Sequence, residues 1–342
     1  MGGSGSGPGI AHPAGAYTAR VEGRRSPILG SATILVGAGL FATLGVLSRT
    51  TFELGLTPYA FVTWRSGVAA IGMAILVLVT LRRGGRLVGW RSLTPRDRLA
   101  LGVAALAGAS LDVTMFLAFD RVPVAIVLLC FYLFPAIVAA GSALLGWEPV
   151  DRIRALALVI SLGGMVAVVI GGEGTGALAS LDPIGVLLAV GSAVSQAVFV
   201  LVARRGYREV PTEQAMTVVL ATSAAVATLL AIGGGALSTV WLPLASPSLL
   251  GLMLFTGIFA AGIPSYLFLA GIRWIGGVRA GILMLAQAPV GVLLAAVFLE
   301  EAIGPVQITG GLAVLAGAAM IQRSPAPRPP AEKPAEVVLP AG

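Results

Sequence analysis

The chain has 342 residues, of which 57% are hydrophobic and only 11% charged, and its mean hydropathy is +0.96. Soluble domains carry roughly 25% charged residues, so the composition excludes an ordinary globular protein with a hydrated surface. The formal net charge of +7 does not mark nucleic-acid binding, because the basic residues are scattered through short segments between apolar runs.

Residues 1–27 are rich in Gly, Ser and Ala, with Arg20, Arg24 and Arg25 just before the first apolar run. They are expected to form a disordered tail and not a cleaved leader, since the run that follows is long enough to span and more runs follow it. Apolar segments then fall at 28–48, 57–81, 99–119, 122–145, 153–170, 182–203, 214–235, 248–272, 277–299 and 304–321. Each approaches the ~20 residues that carry a helix across the hydrocarbon layer. None has the dyad alternation of a barrel strand. The stretch 99–145 is cut in two by Asp120, Arg121 and Pro123. Residues 322–342 are Pro-rich and polar, and are also expected to be disordered. The pattern predicts an all-α membrane protein of about ten transmembrane helices, with no room for a separate soluble domain.

Charge then orients the spans. The loops at 82–98, 146–152, 204–213 and 273–279, with nearby helix ends, hold Arg82, Arg83, Arg86, Arg91, Arg96, Arg98, Arg152, Arg154, Arg204, Arg205, Arg208, Arg273 and Arg279. The opposite loops hold only Arg49 and Arg121, beside Glu53, Asp120, Glu173, Asp182, Glu300 and Glu301. Basic residues collect on the cytoplasmic side, so both termini are expected in the cytoplasm of a multi-pass inner-membrane protein.

The chain also resembles itself at half length. Leu133-Phe134-Pro135 in the fourth span has a counterpart in Gln287-Ala288-Pro289 of the ninth, and each run ends at acids, Glu148 or Glu300-Glu301. Ser161-Leu162-Gly163-Gly164-Met165 in the fifth span matches Ile308-Thr309-Gly310-Gly311-Leu312 in the tenth. Five is odd, so two five-span halves (28–170 and 182–321) face opposite ways. Inverted repeats of this kind place a solute site at the midplane between halves.

These features, together with Trp64-Arg65 early in the second span, resemble the drug/metabolite transporter superfamily and its EamA-type members. The resemblance covers residues 28–321. It implies a 5+5 inverted-topology fold with a central cavity and transport of amino acids, other metabolites or drugs, often outward. The expected function is therefore a secondary transporter exporting a small amphipathic metabolite, best an amino acid or a relative of one, by alternating access. An exporter of lipophilic drug-like compounds stands second, a channel or a membrane scaffold behind it.

Among single residues, Arg65 stands out at roughly 12 Å from the outer end of its span, eight residues in at 1.5 Å each. Asp112 lies at nearly the same depth in the third span. Ionisable side chains in lipid are functional candidates by default. Arg65 could meet a substrate carboxylate, Asp112 could load a coupling proton, or the two could form a structural pair. A paired Asp112 is a fixed counter-charge. An unpaired buried one favours its neutral form and can carry a proton. Pro135 and Pro289 lack an N–H and should free the carbonyls of Phe131 and Leu285 at mid-membrane, which makes their helices candidate cavity walls. Pro264 is a third such site, with Ser265 and Tyr266 beside it. Gln196 and Gln287 either bond to a neighbouring helix or contact the solute. Tyr132, close to Pro135, is the last candidate.

Other classes find little support. The only histidine is His12 in the tail and the only cysteine is Cys130 in an apolar run. No HExxH pattern or paired acids occur at catalytic spacing, so no enzyme, metal or cofactor is expected. Gly37-Ala38-Gly39 imitates a dinucleotide fingerprint but has no strand before it. The expected partners are the lipid bilayer, a small-molecule substrate and protons as coupling ion, with no nucleic acid.

Overall fold

The computed structural model describes residues 27–122, 124–147, 150–173, 182–298 and 303–323. The two tails and the acids Glu148, Glu300 and Glu301 lie outside the described residues. Ten helical spans follow one another: α1 (Pro27–Glu53), α2 (Pro58–Arg82), α3 (Pro95–Phe119), α4 (Ile126–Leu144), α5 (Arg152–Gly171), α6 (Pro183–Arg205), α7 (Thr212–Gly233), α8 (Pro247–Ile275), α9 (Gly277–Leu294) and α10 (Pro305–Gln322).

Local chemistry explains where several spans begin. Thr57-Pro58, Thr94-Pro95 and Asp182-Pro183 each put a capping oxygen before a proline. Thr57 accepts from Ala60 N, Thr94 from Asp97 N and Asp182 from Ile184 N. The proline pre-sets the first helical φ and gives up an N–H that no helix would use there. The first span runs to Glu53 instead of stopping near residue 48, and Arg49 and Glu53, one turn apart, pair at 3.5 Å on its exposed last turn. It is broken at Thr43, between Pro27–Ala42 and Leu44–Glu53. A short helix, Leu237–Ala245, was not expected between α7 and α8. It is tied to the start of α2 by Trp64 Nε1 donating to Val240 O at 2.7 Å and by a 2.8 Å contact between the Thr57 and Thr239 hydroxyls.

Equivalent spans of the two halves pack on each other, α5 on α10 and α2 on α7. Small residues set the α5–α10 approach: a Cβ on Gly164 would lie 2.6 Å from the carbonyl oxygen of Gly310. The repeated Gly-Gly motifs thus meet face to face. The symmetry is inexact, since Gly163 faces open space while its counterpart Gly310 is packed.

The two proline helices are both interrupted. In α4 the helix stops at Phe131 and resumes at Phe134, with Leu133 N bonded back three residues to Cys130 O at 3.2 Å. In α9 it stops at Met284 and resumes at Gln287, with Leu285 N and Ala286 N bonded to Ile282 O and Leu283 O. The carbonyl of Leu285, expected to be left open by Pro289, instead accepts from Ala288 N at 3.1 Å. A tightened turn absorbs the missing donor locally. In α8 the accommodation is the opposite one, a widened π-helical stretch at Thr256–Gly262 just before Pro264. It brings Gly257 against α2, where a Cβ would sit 3.1 Å from the carbonyl oxygen of Arg65.

Candidate functional site

A cavity opens where the two halves meet, enclosing about 750 Å³ of unfilled space counting its mouth. Its wall draws on α1, α2, α3 and α4 from the first half and on α6, α7, α8 and α9 from the second. The spans α5 and α10, bound to each other, do not line it. The wall is mostly Phe, Met, Leu and Val, and its ionisable members are Arg65 and Asp112.

Arg65 on α2 and Asp112 on α3 are in direct contact, Arg65 Nη2 donating to Asp112 Oδ1. Their matched depth in the sequence therefore becomes an ion pair. Arg65 is 3% exposed, and its guanidinium lies 5.2 Å from the centroid of the Phe116 ring. The second carboxylate oxygen of Asp112 accepts from Ser223 Oγ at 2.5 Å and from Ser66 Oγ at 3.2 Å. Ser223 comes from α7, so this cluster links the two halves at the cavity wall. Arg65 Nε is buried and has no partner among the described residues. A desolvated pair with this many donors around the carboxylate is a polarised spot in an otherwise apolar chamber, where electrostatic contacts are strong.

Gln196 on α6 and Gln287 on α9 also line the cavity. They are 5% and 9% exposed. Ser265, beside Pro264, is a further polar wall residue.

The remaining sequence candidates sit outside the wall. Tyr132 is 1% exposed within the core, in ring contact with Phe131. Pro135 packs on α9, its Cβ 3.2 Å from where a Cβ of Gly281 would be, and Pro289 lies similarly against Gly311 of α10. Tyr266 packs against the main core. These side chains shape the helices that carry Phe131, Ser265, Met284 and Gln287 to the cavity. Sequence reading missed Ser66 and Ser223, because a serine in an apolar helix carries no signal until an acid from another helix is placed against it.

At the Arg-rich face, hydrogen bonds tie the ends of α6 and α8 to the α6–α7 loop. Arg273 at the end of α8 donates to Val210 O at 2.9 Å, Thr212 Oγ1 at 3.1 Å and Tyr207 O at 3.2 Å, and Arg204 donates to Arg273 O at 2.9 Å. Tyr207, in the α6–α7 loop, is fully buried at φ +38, a strained position for a side chain of its size. Its N–H bonds to Asp97, and burial pushes its phenol well above the usual range.

A solved crystal structure of a protein shares this fold with a TM-score of 0.64 and 24% sequence identity, the match covering 86% of this chain and 96% of the other. No curated protein matches the chain significantly. The model of the EamA-like transporter family matches twice, over residues 28–170 and 183–323, one copy for each five-span half. Those two copies meet around one cavity in a bundle of ten membrane-crossing helices, and the chain belongs to the EamA-like transporter family, whose members are multi-pass membrane proteins that move small solutes.

Proposed function

We propose that the protein is a secondary transporter that exports a small amphipathic metabolite, an amino acid or a related compound, across the inner membrane by alternating access. The observation that carries this reading is a cavity walled by four spans from each inverted half, with a buried ion pair in its side. Halves of opposite orientation can exchange conformations and present the same chamber to either side. The loop arginines support cytoplasmic termini, and proton coupling would pass through Asp112, the acid that lines the chamber, only in a step of the cycle in which Arg65 has turned away from it. The largely apolar wall favours a second reading, a lipophilic drug-like solute that leaves the ion pair untouched.

The test is transport by the purified protein in liposomes. A carrier gives flux that saturates with solute and is accelerated by unlabelled solute on the far side. Flux that rises linearly without counterflow would sink the reading in favour of a channel. If protons couple, Asp112→Asn flattens the dependence of flux on an imposed pH gradient.

A further inference from the structure

We propose that the α6–α7 loop is a sprung latch between the two halves at the Arg-rich face, in which Arg273 holds Tyr207 in its left-handed conformation and so presents the Tyr207 N–H to Asp97. The latch serves the transporter reading and rests on it. Tyr207 belongs to the second half and Asp97, in the first turn of α3, to the first, so their 3.0 Å bond crosses the seam. Across the same seam Gln214 of α7 and Val88 of the α2–α3 loop exchange two more. Gln214 Nε2 donates to Val88 O at 2.7 Å, and Val88 N donates to Gln214 Oε1 at 3.1 Å. The cavity-wall residues Phe199, Met216 and Phe268 lie one turn or slightly more from Arg204, Thr212 and Arg273, roughly 6–7.5 Å along each helix. A seam that parts at this level opens a path from the chamber to the Arg-rich face.

The loop is loaded as well as tied. Tyr207 is fully buried at φ +38, and its hydroxyl has no partner among the described residues. A conformation of this kind persists only where its neighbours over-determine it. Arg273 supplies that constraint. It donates to Tyr207 O, Val210 O and Thr212 Oγ1, and its guanidinium lies 5.5 Å from the centroid of the Tyr207 ring. Two carbonyls and a hydroxyl of one short segment are thus gripped by a single cation, through charge-assisted bonds that are stronger than neutral ones. Arg204 donates in turn to Arg273 O, which fixes the end of α8. Once the grip is lost, Tyr207 relaxes toward negative φ, its N–H turns away from Asp97 and its hydroxyl gains water. Strain and the unpaired hydroxyl push toward release while the Arg273 bonds oppose it, the balance that a two-state element needs.

The test uses the full chain in proteoliposomes, with Ser265→Cys in the cavity wall as reporter in a Cys130→Ala background. It reads the rate at which that cysteine reacts with an impermeant maleimide added on the side that reaches Trp90→Cys. Arg273→Gln should raise the rate roughly tenfold, as expected for the loss of hydrogen bonds to a charged group. Asp97→Ala should do the same, and the two together should label no faster than either alone, because they break one latch at two points. Rates that multiply would mean two independent ties and overturn the proposal. Tyr207→Phe should act in the opposite direction and slow labelling, since it removes the unpaired hydroxyl and keeps every backbone bond of the loop. That variant keeps the test decisive even if Arg273→Gln fails to fold. Labelling of a folded Arg273→Gln at the wild-type rate, or of Tyr207→Phe at or above it, overturns the latch. In that case saturable counterflow by the wild-type protein leaves the carrier reading standing, whereas a wild-type protein without counterflow loses both.

Discussion

At the scale of single residues, the buried pair of Arg65 and Asp112 sets a test that separates structure from transport. Removing one partner of a desolvated pair leaves the other charge unpaired and costs about 3–5 kcal/mol, whereas replacing both with apolar groups is often near neutral. Arg65→Leu and Asp112→Leu should each lower the melting temperature in detergent, and the double substitution should recover most of that loss while transport stays abolished. A double variant that transports at the wild-type rate would reduce the pair to a structural tie between α2 and α3. Both residues were legible in the sequence, since a charge deep in an apolar run is conspicuous whatever the fold. Their serine partners were not. Ser66 and Ser223 are 157 positions apart and come together at Asp112 only through the packing of α7 on α2 and α3.

At the scale of elements, the α5–α10 crossing depends on which of two adjacent glycines faces the partner. A Cβ on Gly164 would meet the Gly310 carbonyl oxygen at 2.6 Å and Val314 N at 2.8 Å, backbone atoms that cannot turn aside. Gly164→Ala should therefore destabilise by about 1–3 kcal/mol, as overpacking does. Gly163→Ala, whose Cβ would face open space, should cost nothing. Thermal melts of the two variants check this, and equal effects would mean the crossing is not set by close backbone approach. The sequence marked both glycine pairs as a repeat, yet not which member packs, because helix rotation about its axis is fixed by the neighbour. The broken helices tell a similar story. Pro135 and Pro289 announced interruptions in α4 and α9, but the compensation at Leu285 is a local tightening, and the prolines themselves pack on Gly281 and Gly311.

At the scale of the whole molecule, the ten-span order puts the α2–α3 loop and the α7–α8 connection on opposite faces. Trp90 and Leu244 are exposed in these two segments. In a Cys130→Ala background, Trp90→Cys should react with an impermeant maleimide from the cytoplasmic side only, and Leu244→Cys from the opposite side only. Labelling of both from one side would break the opposed orientation of the halves and the transport reading with it.

Spanning length, hydropathy and the sidedness of arginine are properties of each segment against lipid, so the sequence by itself determined the membrane class, the span count and the two-fold repeat. The half-length motifs reached as far as the family for the same reason, being carried within single helices. What only the tertiary structure decided is the content of the chamber: that Arg65 and Asp112 are paired, that Ser66 and Ser223 hold the pair, that Gln196 and Gln287 line the same wall, and that Tyr132, Tyr266 and the prolines stand behind it. Each helix presents several faces of nearly equal hydropathy, and lipid does not distinguish among them. Which face turns inward is settled by how the helices pack on one another, and that information is spread over eight spans at once.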